Sequence, residues 1–466
     1  MTSTNQGGPR SGIPAWRDTT DLTPPLSLLI ITHSYLPEAE VGALRIARLC
    51  RYLPELGIRP VVLTVAHDPS QELDDSFPPL PGIRVERARM LPTPLDFYRS
   101  LRRNGRGSGP GASAPSASRP GSATGPGFLR RSALALFEIP DTSGAWYIPA
   151  VRRARRIVAA EPIAAVFSSV PPYAAHLVAR SLKKRLDVPW LADFRDPWTR
   201  SPLRQTLPGW RRWIDRRMES SCLRWADRVI CNTDRLRAAF SRFHPEVPGD
   251  KFVTLTNGFD DPLTTPPSGG TRSGPRLFLH LGSLYGDRRI DTFCQALGIL
   301  VGRGALDPAT FKVLFVGDND ASFVRQTESD APALMARGCI EFRSRVNWQA
   351  ADRIRWDADL LLLFFDDPLA VPAKFYEYLP TGKPILAVTP EGALSDVLER
   401  TGAGVWVRPD DPAGIASKLQ EALARTAFPA GEAQRRWAAE FHFRSLAGKL
   451  AGWVKDLVQK PVTGAQ

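Results

Sequence analysis

The sequence predicts an α/β protein made of two doubly wound parallel sheets joined by a hinge. Three observations carry this expectation. The chain has 466 residues, enough for two domains that each bury a core. Its strongest apolar runs, LSLLIIT at 26–32 and ADLLLLFF at 358–365, are continuous rather than alternating, as in strands covered on both faces, and helical spacings separate them. A stretch rich in Thr, Pro, Ser and Gly at 262–275 reads as a hinge between the halves.

In the first half, the strand at 26–32 runs into a polar loop at 33–41 and then a helix at 42–56 closed by Gly57, before a second strand at 60–65. This is a strand, loop, helix and strand unit of the kind that binds nucleotides at its first turn. The stretch 102–127 is Gly, Ser, Pro, Ala and Arg with almost nothing apolar, so it reads as a flexible insertion. Its flanks, LDFYRSLRR and FLRRSALALF, suit either a contact with anionic lipid or ordinary amphipathic surface helices. A helix at 145–161, a strand at 164–170, a helix at 173–185 and the segment PWLADFRDPW at 189–198 follow. Loops after parallel strands open on one crevice, so Gly42, the 168–172 turn and Asp193, Arg195 and Asp196 share it. The three charged residues there line the crevice or form a structural ion-pair cluster. The helix at 210–226 places Trp210, Trp213, Ile214, Cys222 and Trp225 on one side, expected to be core, and Arg211, Arg212, Arg216 and Arg217 mostly on the other. That basic side is either a solvated face or one turned to a phosphorylated lipid.

The second sheet opens with RLFLHLGSLYGDRR at 276–289, whose strand ends at Gly282, and continues with strands at 312–317, 339–343 and 403–408. Between the strands at 358–365 and 384–388 lies VPAKFYEYLPTGKPILAV, with a short helix at its centre. Pro372 suits the first helical position, and Lys374 and Glu377 fall three apart on one face. A helix N-terminus, an ammonium and a carboxylate in one crevice match the needs of a nucleoside diphosphate: donors and a cation for phosphates, an acceptor for ribose hydroxyls. An exposed ion pair on a surface helix is the competing reading.

The net charge is +13 with a pI near 9.8, compatible with phosphorylated substrates, an anionic membrane surface or nucleic acid. No basic run reads as a nucleic-acid tail, so nucleic acid is not expected as a partner. Cys50, Cys222, Cys231, Cys294 and Cys339 are odd in number and scattered, as expected of reduced thiols in a cytoplasmic protein. The polar segment at 1–25 reads as disordered and has no apolar signal-peptide core, and no later run approaches the roughly 18 residues of a membrane span. A cytoplasmic location follows, and a peripheral one on the inner face of the membrane is compatible.

The stretch KFYEYLPTGKPIL, together with HSYLPEAEVGALRIARLCRYLPELGIRPVVLT, SSVPPYAAHLVA, PWLADFRDPW and TNGFD, resembles the family 4 (group 1) glycosyltransferases of GT-B fold, in the form that builds bacterial polysaccharides and glycolipids. The resemblance implies two Rossmann-like domains: an acceptor domain over 26–262, a linker over 263–275, a donor domain over 276–436, and a C-terminal helix at 437–466 returning to the first domain. It implies a hexosyltransferase-type enzyme that takes a nucleotide-diphosphate sugar as donor and a lipid-linked or other saccharide as acceptor, retains anomeric configuration and needs no cofactor or metal. It implies that Lys374 and Arg288, with Arg289 as the near alternative, hold the diphosphate, and that Glu377 holds the ribose. Gly42, Gly282, Tyr285 and the backbone near Val346 would line the donor site, with Arg45 one turn into the helix after Gly42. Asp193, Arg195 and Asp196 would line the acceptor site.

Two Asp-x-Asp triplets, 318–320 and 357–359, invite a metal reading, but the first follows a strand and the second opens one as a polar boundary. His176 reads as a packed histidine. A sugar-nucleotide epimerase of the same fold and a non-catalytic nucleotide-sugar-binding adaptor are the alternatives to a transferase.

Overall fold

The computed structural model describes residues 24–38, 41–67, 76–92, 138–260, 274–284, 288–425 and 432–459. The insertion expected at 102–127, nearly all of the 1–25 segment and the 263–275 linker, and Tyr285 lie outside them.

The first half carries strands β1 (Leu26–Ile31), β2 (Ile58–Val65), β3 (Arg84–Ala88), β4 (Ala165–Val170), β5 (Trp190–Phe194), β6 (Arg228–Cys231) and β7 (Phe252–Thr254). Its helices are α1 (Val41–Tyr52), α2 (Tyr147–Ala160), α3 (Ala174–Leu186), α4 (Pro202–Gln205), α5 (Gly209–Trp225) and α6 (Asp234–Phe243). The second half carries β8 (Arg276–Leu281), β9 (Phe311–Val316), β10 (Ile340–Arg343), β11 (Leu360–Phe364), β12 (Ile385–Val388) and β13 (Gly404–Val407). Its helices are α7 (Ile290–Gly302), α8 (Ala321–Asp330), α9 (Pro332–Ala336), α10 (Trp348–Asp357), α11 (Ala373–Tyr378), α12 (Ala393–Thr401), α13 (Pro412–Ala424), α14 (Glu432–Phe441) and α15 (Phe443–Gln459).

Among the described residues every strand pairing is parallel. The order is β3-β2-β1-β4-β5-β6-β7 in one sheet and β10-β9-β8-β11-β12-β13 in the other. The continuous apolar runs follow from helices on both faces. Leu29 and Ile31 enter one core while Leu28 and Ile30 enter the opposite one, and Leu360 and Leu362 divide from Leu361 and Leu363 in the same way. Strand order reverses between β1 and β4 and again between β8 and β11, so each sheet opens a crevice at the carboxyl ends of those strands.

Helix α15 packs its Phe443, Leu446, Leu450 and Val454 into the core shared with α1, on the first sheet. Just before it, Phe443 N–H donates to the Phe259 carbonyl and Phe259 N–H to the Phe441 carbonyl, both at 3.0 Å. Further ties join the halves: Arg235 is bidentate to Asp396 at 2.6 and 2.7 Å, and the Thr233 hydroxyl donates to the Leu369 carbonyl at 2.5 Å. Among the described residues no helix is long and apolar enough to cross a membrane.

Helix α5 corrects the sequence reading. Its buried face is polar: Arg211, Asp215 and Glu219, with Cys222 and Leu223. Arg211 pairs with Asp215 and donates to the carbonyls of Glu138 (2.8 Å) and Pro140 (2.6 Å), while Glu219 accepts from Thr199 N–H (2.9 Å) and hydroxyl (2.8 Å). Trp210, Trp213 and Trp225, expected in the core, face outward. The hydrophobic pattern failed here because satisfied hydrogen bonds let charged side chains take the interior.

Candidate active site

The second sheet's crevice is built at its switch point, from the ends of β8 and β11. Gly282 follows β8 with φ +122°, a region that favours glycine, and its N–H donates to the Val316 carbonyl at 2.6 Å. A Cβ at Gly282 would land on the Lys374 ammonium, and one at Gly317 would land on the backbone of Gly282. These glycines are thus required by close packing, and Lys374 lies directly against the backbone of the loop after β8. The Leu281 N–H donates to the Tyr378 hydroxyl at 3.0 Å, which fixes α11 against β8.

Arg288 reaches the same place from the far end of that loop. It is buried, and its Nη1 donates to the Ser283 carbonyl at 2.5 Å. Burial and then the charge of Arg288 push the Lys374 ammonium down to about 8, against the opposing pull of Glu377. Beneath them His280 lies with Nδ1 3.0 Å from the Leu362 carbonyl. Burial, and next the Lys374 charge, hold its imidazole well below the usual range, so it stays neutral. Arg289 points away and is bound by Asp291 at 2.8 Å on an exposed edge. The structure therefore brings Arg288, rather than Arg289, together with Lys374.

Two expectations about α11 are corrected. Pro372 is its N-cap, in extended conformation, rather than its first residue. The helix has six residues, so its dipole is small beside two full cationic charges. Glu377 faces the other domain, where Arg48 Nη1 of α1 lies 3.4 Å from Oε1. Arg48 was not marked in the sequence, because nothing local distinguishes it from the other arginines of α1. Val346 is half-buried with its side chain against the second sheet's core, which leaves backbone groups of 344–346 at the strand end.

On the first sheet, Arg45 does not face the crevice. It is buried, and its guanidinium donates to Asp193 Oδ1 (3.0 Å) and Oδ2 (3.2 Å), to Asn257 Oδ1 (3.0 Å) and to the carbonyls of Leu255 (2.9 Å) and Thr256 (2.6 Å). Asp193 also accepts from the Ser169 hydroxyl at 2.7 Å and has no exposed surface. Asp193 is therefore withdrawn from the acceptor-binding set: both its oxygens are engaged inside the protein. It binds α1 to β5 and to the segment after β7.

Arg195 and Asp196 lie at the crevice. Arg195 Nε donates to the Val170 carbonyl at 3.0 Å and Nη2 to that of Pro171, and the guanidinium lies over Gly42, where a Cβ would collide with it. Gly42 thus makes room for Arg195. Burial pushes the Asp196 carboxyl upward, and the Arg195 charge works against it. Asp367, which follows β11, was also missed. Burial raises its carboxyl, its hydrogen bond from Leu369 N–H (2.8 Å) opposes this, and Asp196 from the other domain raises it further. Its signal was available: it follows the strongest buried strand of the chain by three residues.

The remaining motifs have structural partners. Asp320 caps α8 by accepting from Ser322 N–H at 2.8 Å, and Asp359 accepts from Leu277 N–H at 2.8 Å. His176 is buried, with Nδ1 2.8 Å from the Ser168 hydroxyl. Among the described residues no three His, Cys, Asp or Glu side chains gather as metal ligands would.

Comparison with known families agrees with this architecture. Residues 112–258 match a family model described as a glycosyl transferase 4-like domain, and residues 275–425 match one described as glycosyl transferases group 1. The chain belongs to the group 1 glycosyltransferases of GT-B fold, and is an enzyme of glycosyl transfer.

Among solved structures, it is similar to sucrose-phosphate synthase from Thermosynechococcus elongatus, with a TM-score of 0.64 and 16% identity over 93% of this chain and 99% of that one. It is also similar to Anabaena HepE in complex with UDP and glucose (TM-score 0.61, 15% identity, 92% and 100% covered). A third neighbour is WaaG, a glycosyltransferase involved in lipopolysaccharide biosynthesis (TM-score 0.54, 14% identity, 92% and 99% covered). No protein with a curated description matches the chain by sequence.

Proposed function

We propose that this enzyme moves a sugar from a nucleoside-diphosphate sugar to an acceptor hydroxyl on a lipid-linked saccharide, in the synthesis of a cell-surface polysaccharide or glycolipid. The observation that carries the reading is the meeting of Lys374 and Arg288 behind Gly282 at the switch point of the second sheet. As the sugar–phosphate bond breaks, negative charge grows on the leaving diphosphate. Two cations already in place stabilise it without rearranging. They supply the charge compensation that a divalent ion supplies in metal-dependent transferases.

Glu377 takes the ribose hydroxyls after exchanging its contact with Arg48, and the backbone at 344–346 takes the base. Arg195 and Asp196 orient the acceptor, and Asp367 faces them across the crevice. Retention of configuration is proposed from the family resemblance. A uridine nucleotide is the first donor to try, since HepE of this fold is known with UDP and glucose, and the glycolipid acceptor is in keeping with WaaG.

The test is to incubate the full chain with a panel of sugar nucleotides, with and without a bacterial lipid extract, and to measure free nucleoside diphosphate. Release that depends on the extract, with the labelled sugar recovered in lipid, is the expected result. Interconversion of the sugar nucleotide without release would make the protein an epimerase. Binding of a sugar nucleotide without any turnover would make it an adaptor.

A further inference from the structure

Helix α5 buries Arg211, Asp215 and Glu219 beside Cys222 and Leu223, while three tryptophans stand outside: Trp210 is 38% exposed, Trp213 52% and Trp225 41%. Large aromatic side chains in such numbers on one exposed helix face are unusual, and they mark a contact surface. The exposed residues between them are Arg212, Arg216, Arg217 and Arg224, while both acids of the helix that bear on packing, Asp215 and Glu219, are buried. The Arg217 guanidinium lies 4.3 Å from the Trp213 ring centroid, and Lys184 of α3 lies 4.8 Å from that of Trp225. A shallow cleft of about 690 Å³ runs along this face between Arg180, Trp213, Arg217 and Arg224, with Glu246 as the acid in its lining.

We infer that this face of α5 docks the enzyme on the anionic headgroup surface of a lipid bilayer, with the tryptophans at the headgroup boundary and the arginines on lipid phosphates. The pairing of amphipathic rings with cationic side chains fits that boundary, where one side is apolar and the other wet and negative. A second copy of the chain is a poorer occupant, because the arginines of two such faces would oppose each other. The position of the face gives the docking a purpose. Glu219, on the inner side of α5, holds Thr199, and Asp215 pairs with Arg204 at 3.2 Å, so the helix and the segment after Arg195 and Asp196 move as one. Docking through α5 therefore ties the segment that follows Arg195 and Asp196 to a membrane-bound helix. This purpose rests on the proposal of a lipid-linked acceptor, whereas the docking itself does not.

The test uses the full chain and vesicles of phosphatidylcholine alone or mixed equally with phosphatidylglycerol. Sedimentation with the mixed vesicles is expected, weakening as salt rises, together with a blue shift of tryptophan emission that shrinks in Trp213→Ser. Each basic residue near such a surface contributes on the order of fivefold in affinity, so Arg216→Glu with Arg217→Glu should weaken binding by at least about 25-fold. Both substitutions are on exposed positions and leave stabilisation by nucleoside diphosphate intact. The inference is overturned if mixed vesicles do not bind, if phosphatidylcholine alone binds as well, or if the charge reversal changes nothing. It is overturned too if poly-uridylate competes fully with no blue shift ever seen, or if the face proves to close a dimer in the absence of vesicles. Lys374→Ala should bind vesicles like the wild type, so failure of docking and failure of the transferase reading are seen separately.

Discussion

Lys374→Ala lowers kcat/KM for sugar transfer by about 10²–10³-fold, the loss expected when one preorganised group that stabilises developing charge is removed. The effect on the nucleoside alone is small, since the ammonium faces the diphosphate. The same residue sets the pH dependence. Lys374 titrates near 8 in the free enzyme, and the protonated form is the one that holds phosphate. Donor kcat/KM should therefore fall as pH rises above about 8, approaching tenfold per unit. Bound phosphate favours the ammonium, so the corresponding fall in kcat lies at higher pH. Stability moves the opposite way. A lysine whose folded value is lowered disfavours folding wherever the unfolded chain is still protonated. That cost is present in full below about pH 8 and fades as pH rises from there towards the unfolded value. At pH 7 Lys374→Met should thus be more stable than the wild type, by roughly 1–3 kcal/mol, while nearly inactive. Urea denaturation and initial rates across pH check both halves of the expectation.

Arg45→Ala has the largest expected effect on the fold. The guanidinium makes five hydrogen bonds inside the first domain, and its loss leaves the Asp193 carboxylate buried with the Ser169 hydroxyl as its remaining partner. Breaking a buried pair from one side costs about 3–5 kcal/mol. Asp193→Asn, which keeps the shape and one acceptor oxygen, should cost less. Chemical denaturation of both variants measures this, and an Arg45→Ala protein as stable as the wild type would return Arg45 to the crevice.

The parts of the fold legible in the sequence were those fixed by burial on two faces. Strand β11 is an unbroken apolar run, and β1, β4 and β8 are mainly apolar with few polar residues between. β3 was missed because it is an edge strand, RVERA, with one buried residue. In helix α5 Cys222 is buried and Arg212, Arg216 and Arg217 are exposed as expected, but the three tryptophans and Arg211 are reversed, since periodicity counts apolar residues and cannot see that Arg211 and Glu219 find hydrogen-bond partners on distant segments. The resemblance put Asp193 at the acceptor site, with a structural ion-pair cluster as the alternative; its partner is Arg45, 148 positions away, which no local pattern shows. Lys374 and Glu377 were legible because their spacing on one helix is local. Arg48 was not, because it gains its meaning from Glu377 in the opposite domain, whereas Asp367, three residues after the most apolar strand, could have been read.

The central claim is that two cations of the second domain hold a diphosphate, and calorimetric titration tests it most directly. The ligand is the nucleoside diphosphate that most stabilises the wild type in a thermal panel, run beside its parent nucleoside. Arg288→Ala and Lys374→Ala should each weaken the diphosphate by about tenfold or more and leave the nucleoside unchanged. Diphosphate affinity untouched by either substitution, or lost in parallel with that of the nucleoside, would contradict the account.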